Sequence, residues 1–456
     1  MRGGIYMTQR SIGDRLDSLP LTRVHIRTLV IVGLGLFFDL FDVFLAGVLG
    51  TVLTSSFGFS GAQLPLVLGS SFLGMFFGAT CMGFVADRFG RRRAYLINLA
   101  IYSVFTLAGA FSPDATFLII TRCLAGVGIG AQLPLSDSYL SEILPARRRG
   151  VLISWAYTVA FIGNPVLGLL ARLLVPTHYW NVDGWRWLFV IGGLGGLTIW
   201  IAQRVLPESP RWLASVGRLR DAEQITDYIA DLPGASAKLM SSSASLRTDG
   251  LAQLRAALHL LFSDAYRKRT LMFCAFQVFQ TAGYYGFGTM VPLVLAAKGF
   301  SVLTSLTYTT IAFIGYPVGS ALSVLVIERI DRRWLIIGTS TMMGALGLAL
   351  GNATNPLAIG IIGISYTLIS NVFSNAFHTF QGEIFPTAVR ATAASSAYGI
   401  SRLSTAAMPF VLLPVLKDHG PTAMFAVVSA AMLIMILIIA FFAPATTGRP
   451  LEDIAA

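Results

Sequence analysis

Charge is scarce in this chain. Asp, Glu, Lys and Arg together make 12% of its 456 residues, about half the share of a soluble globular protein. Cysteine is scarcer: Cys81, Cys123 and Cys274 are the only three, all in apolar segments. They are too few for a disulfide framework and read as packing residues. The five histidines are scattered, so no metal site is expected. No Gly-x-x-x-x-Gly-Lys loop is present to cradle a nucleotide, which speaks against an ATP-driven machine. No nucleophile–base pair stands out, so the reading is not an enzyme, with no cofactor.

What the chain has instead is apolar length. Hydrophobic residues make 55% of it, gathered in segments long enough to cross a bilayer, which takes ~20 residues. Hydropathy predicts twelve spans: 28–50, 63–86, 94–112, 116–140, 151–174, 186–206, 270–296, 304–327, 334–351, 357–380, 392–416 and 422–443. The fold class is therefore an all-α integral membrane protein with two six-helix bundles. The expected units are 1–206, a linker with short helices at 207–269, and 270–456. The start is polar up to Arg27, so no cleavable signal peptide is expected and the first span acts as the insertion signal.

The formal net charge of +11 does not point to nucleic acid, because of where the charge sits. The connections after spans 2, 4, 8 and 10 carry Arg88 and Arg91 to Arg93, Arg147 to Arg149, Arg329 with Arg332 and Arg333, and Arg390. Those after spans 1, 3 and 9 carry no Lys or Arg. The positive-inside rule places both termini in the cytoplasm, and a bacterial inner membrane is the expected location. The lipid bilayer is the expected partner, and the protein is expected to act as a monomer.

The first span, Leu29 to Gly50, contains two acids, Asp39 and Asp42. A charge at the bilayer centre costs about 2.5–3.5 kcal/mol on insertion scales. The i, i+3 spacing lets both face one side of a helix. Such acids need water, a proton or a cation, and an intramembrane acid is by default functional. A permanent structural ion pair is the alternative.

The halves repeat. Asp87 in GFVADRFGRRR corresponds to Glu328 in VLVIERIDRRW, and 328 − 87 = 241; Glu142 in EILPARRRG corresponds to Glu383 in EIFPTAVRA, and 383 − 142 = 241. Two independent motifs share one offset. Two six-helix halves are the architecture of a secondary transporter, with its site near the midplane between them.

Gly83-x-x-x-Asp87-Arg88-x-Gly90-Arg91-Arg92 resembles the G-x-x-x-D-R-x-G-R-R signature of the major facilitator superfamily. Gly83 allows close helix packing and Gly90 a tight turn. The resemblance implies a cytoplasmic gate built from Gly83, Asp87, Arg88, Gly90 and Arg91, with Glu142, Arg149, Glu328, Arg329, Glu383 and Arg390 as its partners and second copy. Asp331 stands where the second copy would have Gly. Arg122-x-x-x-Gly126-x-Gly128-x-Gly130 is similar to another element of the family. The sugar-porter branch pairs this arginine with an acid at the position of Asp42, and protonation of the acid opens the pair. Pro207-Glu-Ser-Pro-Arg-Trp-Leu213 and the Pro444 to Glu452 stretch, with Ala445 where the family has Glu, look like two further signatures of that branch.

The hexose pattern is broken. Asn164 replaces a Gln, Gln280 stands without its paired Gln, Tyr285 replaces an Asn, and Ser374 to His378 replaces GPV-x-W. Asp39-Leu-Phe-Asp42 matches the D-x-x-D spacing of aromatic acid:proton symporters and resembles porters of nicotinate-like acids. Rows of polar residues support a polar interior: Asn371, Asn375 and His378; Gln277, Gln280 and Tyr284; Tyr398 and Arg402. Interhelical hydrogen bonding is the alternative for these rows. Arg402 has no acid on its own helix, and a substrate carboxylate would satisfy it.

The expectation is proton-coupled uptake of a small organic anion. Asp42, Arg122 and Asp39 handle the proton. Arg402, Asn164, Gln280, Tyr284, Asn375, His378, Gln277 and Tyr398 line the substrate site. A proton-driven efflux antiporter and a sugar or polyol porter are the alternatives within this class, and a non-transporting membrane sensor the one outside it.

Overall fold

A computed structural model describes residues 11–59, 62–232, 259–264, 266–327, 329–385 and 387–444. The polypeptide is almost wholly helical. A short α1 (Ile12–Ser18) starts at a capping box, in which Ser11 and Asp14 bond each other's backbone N–H. Then come α2 (Arg23–Val48), α3 (Gly50–Phe57), α4 (Gln63–Phe89), α5 (Arg91–Gly109), α6 (Ala115–Gly130), α7 (Gln132–Ile143), α8 (Arg149–Leu174) and α9 (Gly184–Gln203). After α10 (Pro210–Ser215) and α11 (Leu219–Ile229) the second set runs α12 (Arg267–Ala297), α13 (Val302–Phe313), α14 (Gly315–Val326), α15 (Arg332–Asn352), α16 (Pro356–Glu383) and α17 (Thr387–Phe442). A hairpin, β1 (His178–Tyr179) and β2 (Val182–Asp183), precedes α9.

By length and apolarity eight helical stretches qualify as membrane spans among the described residues. They include the expected spans 1, 2, 4, 5, 6, 9 and 10. Spans 11 and 12 fall together on Ser396–Phe442. Gly420 breaks that run with φ 83° and ψ −179°, so it doubles back without a loop. Spans 3, 7 and 8 fall on α5, α12 and the α13–α14 pair.

Two expected spans are interrupted for one physical reason. Span 4 breaks at Ala131 and span 8 at Ile314. Pro134 and Pro317 follow within three residues, and each removes an N–H that would have bonded the carbonyl four residues back. Span 1 begins earlier than hydropathy predicts, at Arg23, and breaks at Leu49.

The α4–α6 crossing shows how such helices approach without a hydrophobic drive between them. A Cβ on Gly126 or Gly130 would collide with the backbone of Ser71 or Met75. Around it α2 packs on α8 and α9, and α5 on α6 and α9. In the second set α12 and α15 pack on α17, and α16 on α13, α14 and α15. The sets meet through α4 on α17, α8 on α13 and α14, and α2 on α12.

The cysteines are free, but only Cys123 and Cys274 are partly buried. Cys81 is exposed, on the outer face of α4 that also shows Phe77. That corrects its reading as a packing residue.

Candidate functional site

The contacts between the two helix sets gather at the ends away from the arginine-rich turns. Phe44 on α2 stacks on Tyr285 of α12, with ring centres 6.3 Å apart. A Cβ on Gly47 would lie 2.7 Å from Thr289 Cα. Arg172 Nε donates to Thr307 Oγ1 at 2.7 Å. Toward the basic ends the picture changes. Asp137 on α7 and His378 on α16 are exposed, although each lies within a helix apolar enough to span a membrane. Such exposure within two spans is what a cleft between the sets, open at the basic end, would give.

The walls of that cleft obey the repeat. Asp137 corresponds to His378 and Tyr157 to Tyr398, since 378 − 137 and 398 − 157 both equal 241. On the first wall Tyr157 donates to Asp137 Oδ1 at 2.7 Å. On the second, Tyr398 lies under the Arg402 guanidinium, 4.2 Å from carbon to ring centre, with Tyr285 at 4.6 Å. Arg402 is 2% exposed, and its Nε and Nη1 have no hydrogen-bond partner.

Asp42 and Arg122 form a closed unit inside the first set. Arg122 Nη1 donates to both carboxylate oxygens at 2.8 and 2.7 Å, and Nη2 to the Asp42 carbonyl at 2.9 Å. Thr106 Oγ1 donates to Asp42 Oδ1 at 3.0 Å. The sequence places Asp39 one turn away on a similar face, yet the two acids differ in what they meet. Asp39 is buried and neither of its oxygens has a partner.

The other expected ligands divide. Gln280 Nε2 donates to Ser401 Oγ at 3.1 Å and to Gln277 Oε1 at 3.0 Å, and Gln277 Nε2 to Gln381 Oε1 at 3.4 Å. Asn375 Nδ2 donates to Ser323 Oγ. These bonds tie helices of one set together. Asn164 is buried with both amide atoms unpartnered, and Tyr284 is buried edge-on to Tyr285.

At the basic ends the two copies of the charged motif are superimposable in pattern. Arg91 Nε lies 3.3 Å from Glu142 Oε1, and Arg332 Nε lies 3.3 Å from Glu383 Oε1. Here too 332 − 91 = 241. Gly90 turns the chain between α4 and α5 at φ 99°, and a Cβ there would run into Glu208. Arg149 does not join this motif: it pairs with Asp17, which also pairs with Arg211. Arg88 and Arg329 are exposed. Glu328 and the side chains of Gly83, Asp87 and Arg390 lie outside the described residues, as does the Ala445 to Glu452 stretch.

Sequence reading passed over Tyr157, Thr106, Tyr95, Gln132 and Gln203. Applying the 241 offset to Tyr398 would have found Tyr157. Nothing in local spacing marks the rest.

The family described as Sugar (and other) transporter matches residues 30–456. YyaJ of Bacillus subtilis, provisionally named a metabolite transport protein, is 30% identical, with 96% of each chain covered. The niacin transporter NiaP of Acinetobacter baylyi is 28% identical over 97% of this chain and 99% of its own. A partially occluded inward open structure of the xylose transporter XylE from E. coli superposes with TM-score 0.75. It is 20% identical and covers 94% of this chain and all of its own; that likeness shows the fold.

Proposed function

Because the chain belongs to the Sugar (and other) transporter family, a multi-pass membrane transporter of major facilitator fold, we propose that it takes up a small organic acid together with protons. The observation that carries this reading is Arg402. A buried guanidinium whose Nε and Nη1 lack a partner, with no acid paired to it among the described residues and two tyrosines framing it, suits an aromatic or nicotinate-like carboxylate. The carboxylate would take the open donors and the ring would lie among the tyrosines.

Asp42 and Arg122 are the coupling pair in this reading. Arginine keeps its proton in proteins, so the acid is the switch. Protonation of Asp42 would release Arg122, and Asp39 is the second carrier. The units 1–206 and 270–456 would rock about the site, with 207–269 as their tether. The open cleft at the basic end is then the inward-facing state, with both termini in the cytoplasm of the inner membrane and the protein working as a monomer. The Arg91–Glu142 and Arg332–Glu383 pairs would belong to its gate.

A sugar or polyol porter is the second reading, favoured by the family's name and by the buried amides Asn164, Gln277 and Gln280. Proteoliposomes with an imposed pH gradient separate the two. Radiolabelled nicotinate, benzoate and 4-hydroxybenzoate are tested beside xylose and arabinose. Accumulation of an acid, inside alkaline, supports the proposal; accumulation of a sugar with no acid competing overturns it.

A further inference from the structure

Behind the first wall of the cleft lies a buried polar compartment that the substrate site does not use. It is enclosed by α2, α5, α7 and α9. Asp39 projects from α2 with both carboxyl oxygens unpartnered. One turn earlier on the same face, a Cβ on Gly35 would lie 3.4 Å from both Tyr95 Oη and Gln203 Nε2. Tyr95 Oη is 2.8 Å from Ser136 Oγ, which donates to the Gln132 carbonyl at 2.7 Å. Asp39, Gln132 and Gln203 all lie within electrostatic reach of that tyrosine hydroxyl.

The amides carry the argument. Gln132 and Gln203 are each 1% exposed, and apart from their approach to the Tyr95 hydroxyl their amide atoms lack a partner. An unmet buried polar group costs about 1–3 kcal/mol. Such density in one place is what bound water relieves, each water making ~3 hydrogen bonds. The compartment also has a way out. A small cavity lined by Arg92, Tyr95, Tyr139, Gln203 and Leu206 adjoins it on the basic side, with room for about one water. Glu208 stands there, accepting from the Arg92 and Ser209 amides at 3.0 Å.

The titratable groups that face Asp39 are Asp42 on its own helix, Tyr95 and Tyr102 on α5, and Tyr398 on α17. The neighbouring cation, Arg122, is committed to Asp42.

We propose that this compartment is a hydrated proton path inside the first helix set, linking Asp39 to the basic end separately from the cleft. A proton leaving the Asp39 carboxyl passes to water. The Tyr95 and Ser136 hydroxyls and the waters between them each accept a proton and hand on their own, the Gln203 amide holds the water in place without exchanging a proton, and a carboxylate stays behind. This extends the proton-coupled reading, but its test needs no transport.

The test is infrared spectroscopy of the full chain in lipid. The carbonyl stretch of protonated Asp39 is assigned by its disappearance in Asp39→Asn. Its deuterium shift is followed after exchange into D2O. The path predicts rapid exchange in the wild type, slowed about tenfold or more by Gln203→Leu and by the plug Gly35→Leu, and restored by Gln203→Asn. Thermal unfolding verifies that each variant is folded, and either plug alone suffices. Equal exchange rates in wild type and both plugged variants would overturn the path, as would the absence of a protonated Asp39 band at every pH where the protein is folded. Slowed exchange in a protein that fails to accumulate any acid would leave the path standing and remove the proton-coupled reading instead.

Discussion

Two arginines lie deep in the chain, one in each helix set, and they are housed in opposite ways. Arg122 is closed off by Asp42, which meets it with both oxygens at 2.7–2.8 Å and with its carbonyl. Arg402 has two tyrosine rings and open donors. At the basic ends the same two sets are near copies, with Arg–Glu pairs of 3.3 Å at corresponding positions. The repeat is kept in the charged pairs at the basic ends and lost around the two buried arginines. One arginine has a partner built in; the other, in the function proposed above, waits for a substrate carboxylate.

The largest test of that contrast is Arg402→Gln. If Arg402 meets the substrate carboxylate, acid binding by calorimetry should weaken at least about 30-fold, the low end for losing a buried charged partner. Stability should change little, because no acid is orphaned. Unchanged affinity would end the distinction between the two arginines.

Asp42→Asn should behave the other way. Breaking a buried pair costs about 3–5 kcal/mol, and the retained carbonyl and amide contacts leave the lower end as the expected loss in thermal unfolding. In vesicles, exchange of labelled acid should persist while accumulation driven by a pH gradient disappears. Gradient-driven accumulation by this variant would move the coupling to Asp39 or His378.

The smallest effect tests the packing of α1 on α10 and α11, where Asp17 pairs with Arg149 and Arg211. Burial pushes the Asp17 carboxyl upward, but Arg211 and Arg149 outweigh it and hold it below its ordinary 3.8. A lowered folded value means that its contribution is complete above 3.8 and is lost as pH falls through the folded value. Limited proteolysis of the N-terminal segment should therefore be flat from neutral pH down to about 4 and rise below it. Asp17→Asn should show part of that rise at neutral pH, modest because exposed pairs are worth no more than about 1 kcal/mol.

Much of this architecture was legible because the bilayer restricts what a chain can do. Apolar length gave the helices, and the glycine spacing at Gly126 and Gly130 gave a close crossing. The Asp42–Arg122 contact was legible through resemblance, not through spacing, since the two residues are far apart in the chain. The breaks at Ala131 and Ile314 were readable in principle, from Pro134 and Pro317, but hydropathy averages over such local defects. That Asp42 is paired while Asp39 is left without a partner was not readable. Spacing of i, i+3 fixes a shared side, while the neighbours on α5 and α6 decide what each acid meets. The polar residues around Tyr95 come from four helices, each contributing one or two ordinary amides or hydroxyls, so no single stretch announces them.

Gly47 and Gly288 occupy corresponding positions in the two halves, since 288 − 47 = 241. Each serves as the socket for the other copy's helix: a Cβ on Gly47 would press on Thr289, and one on Gly288 would strike the Phe44 ring. After a gene duplication, paired copies ordinarily drift apart because one can cover for the other. These two cannot. A side chain in either socket would press on the same seam, so the two copies do not stand in for each other there.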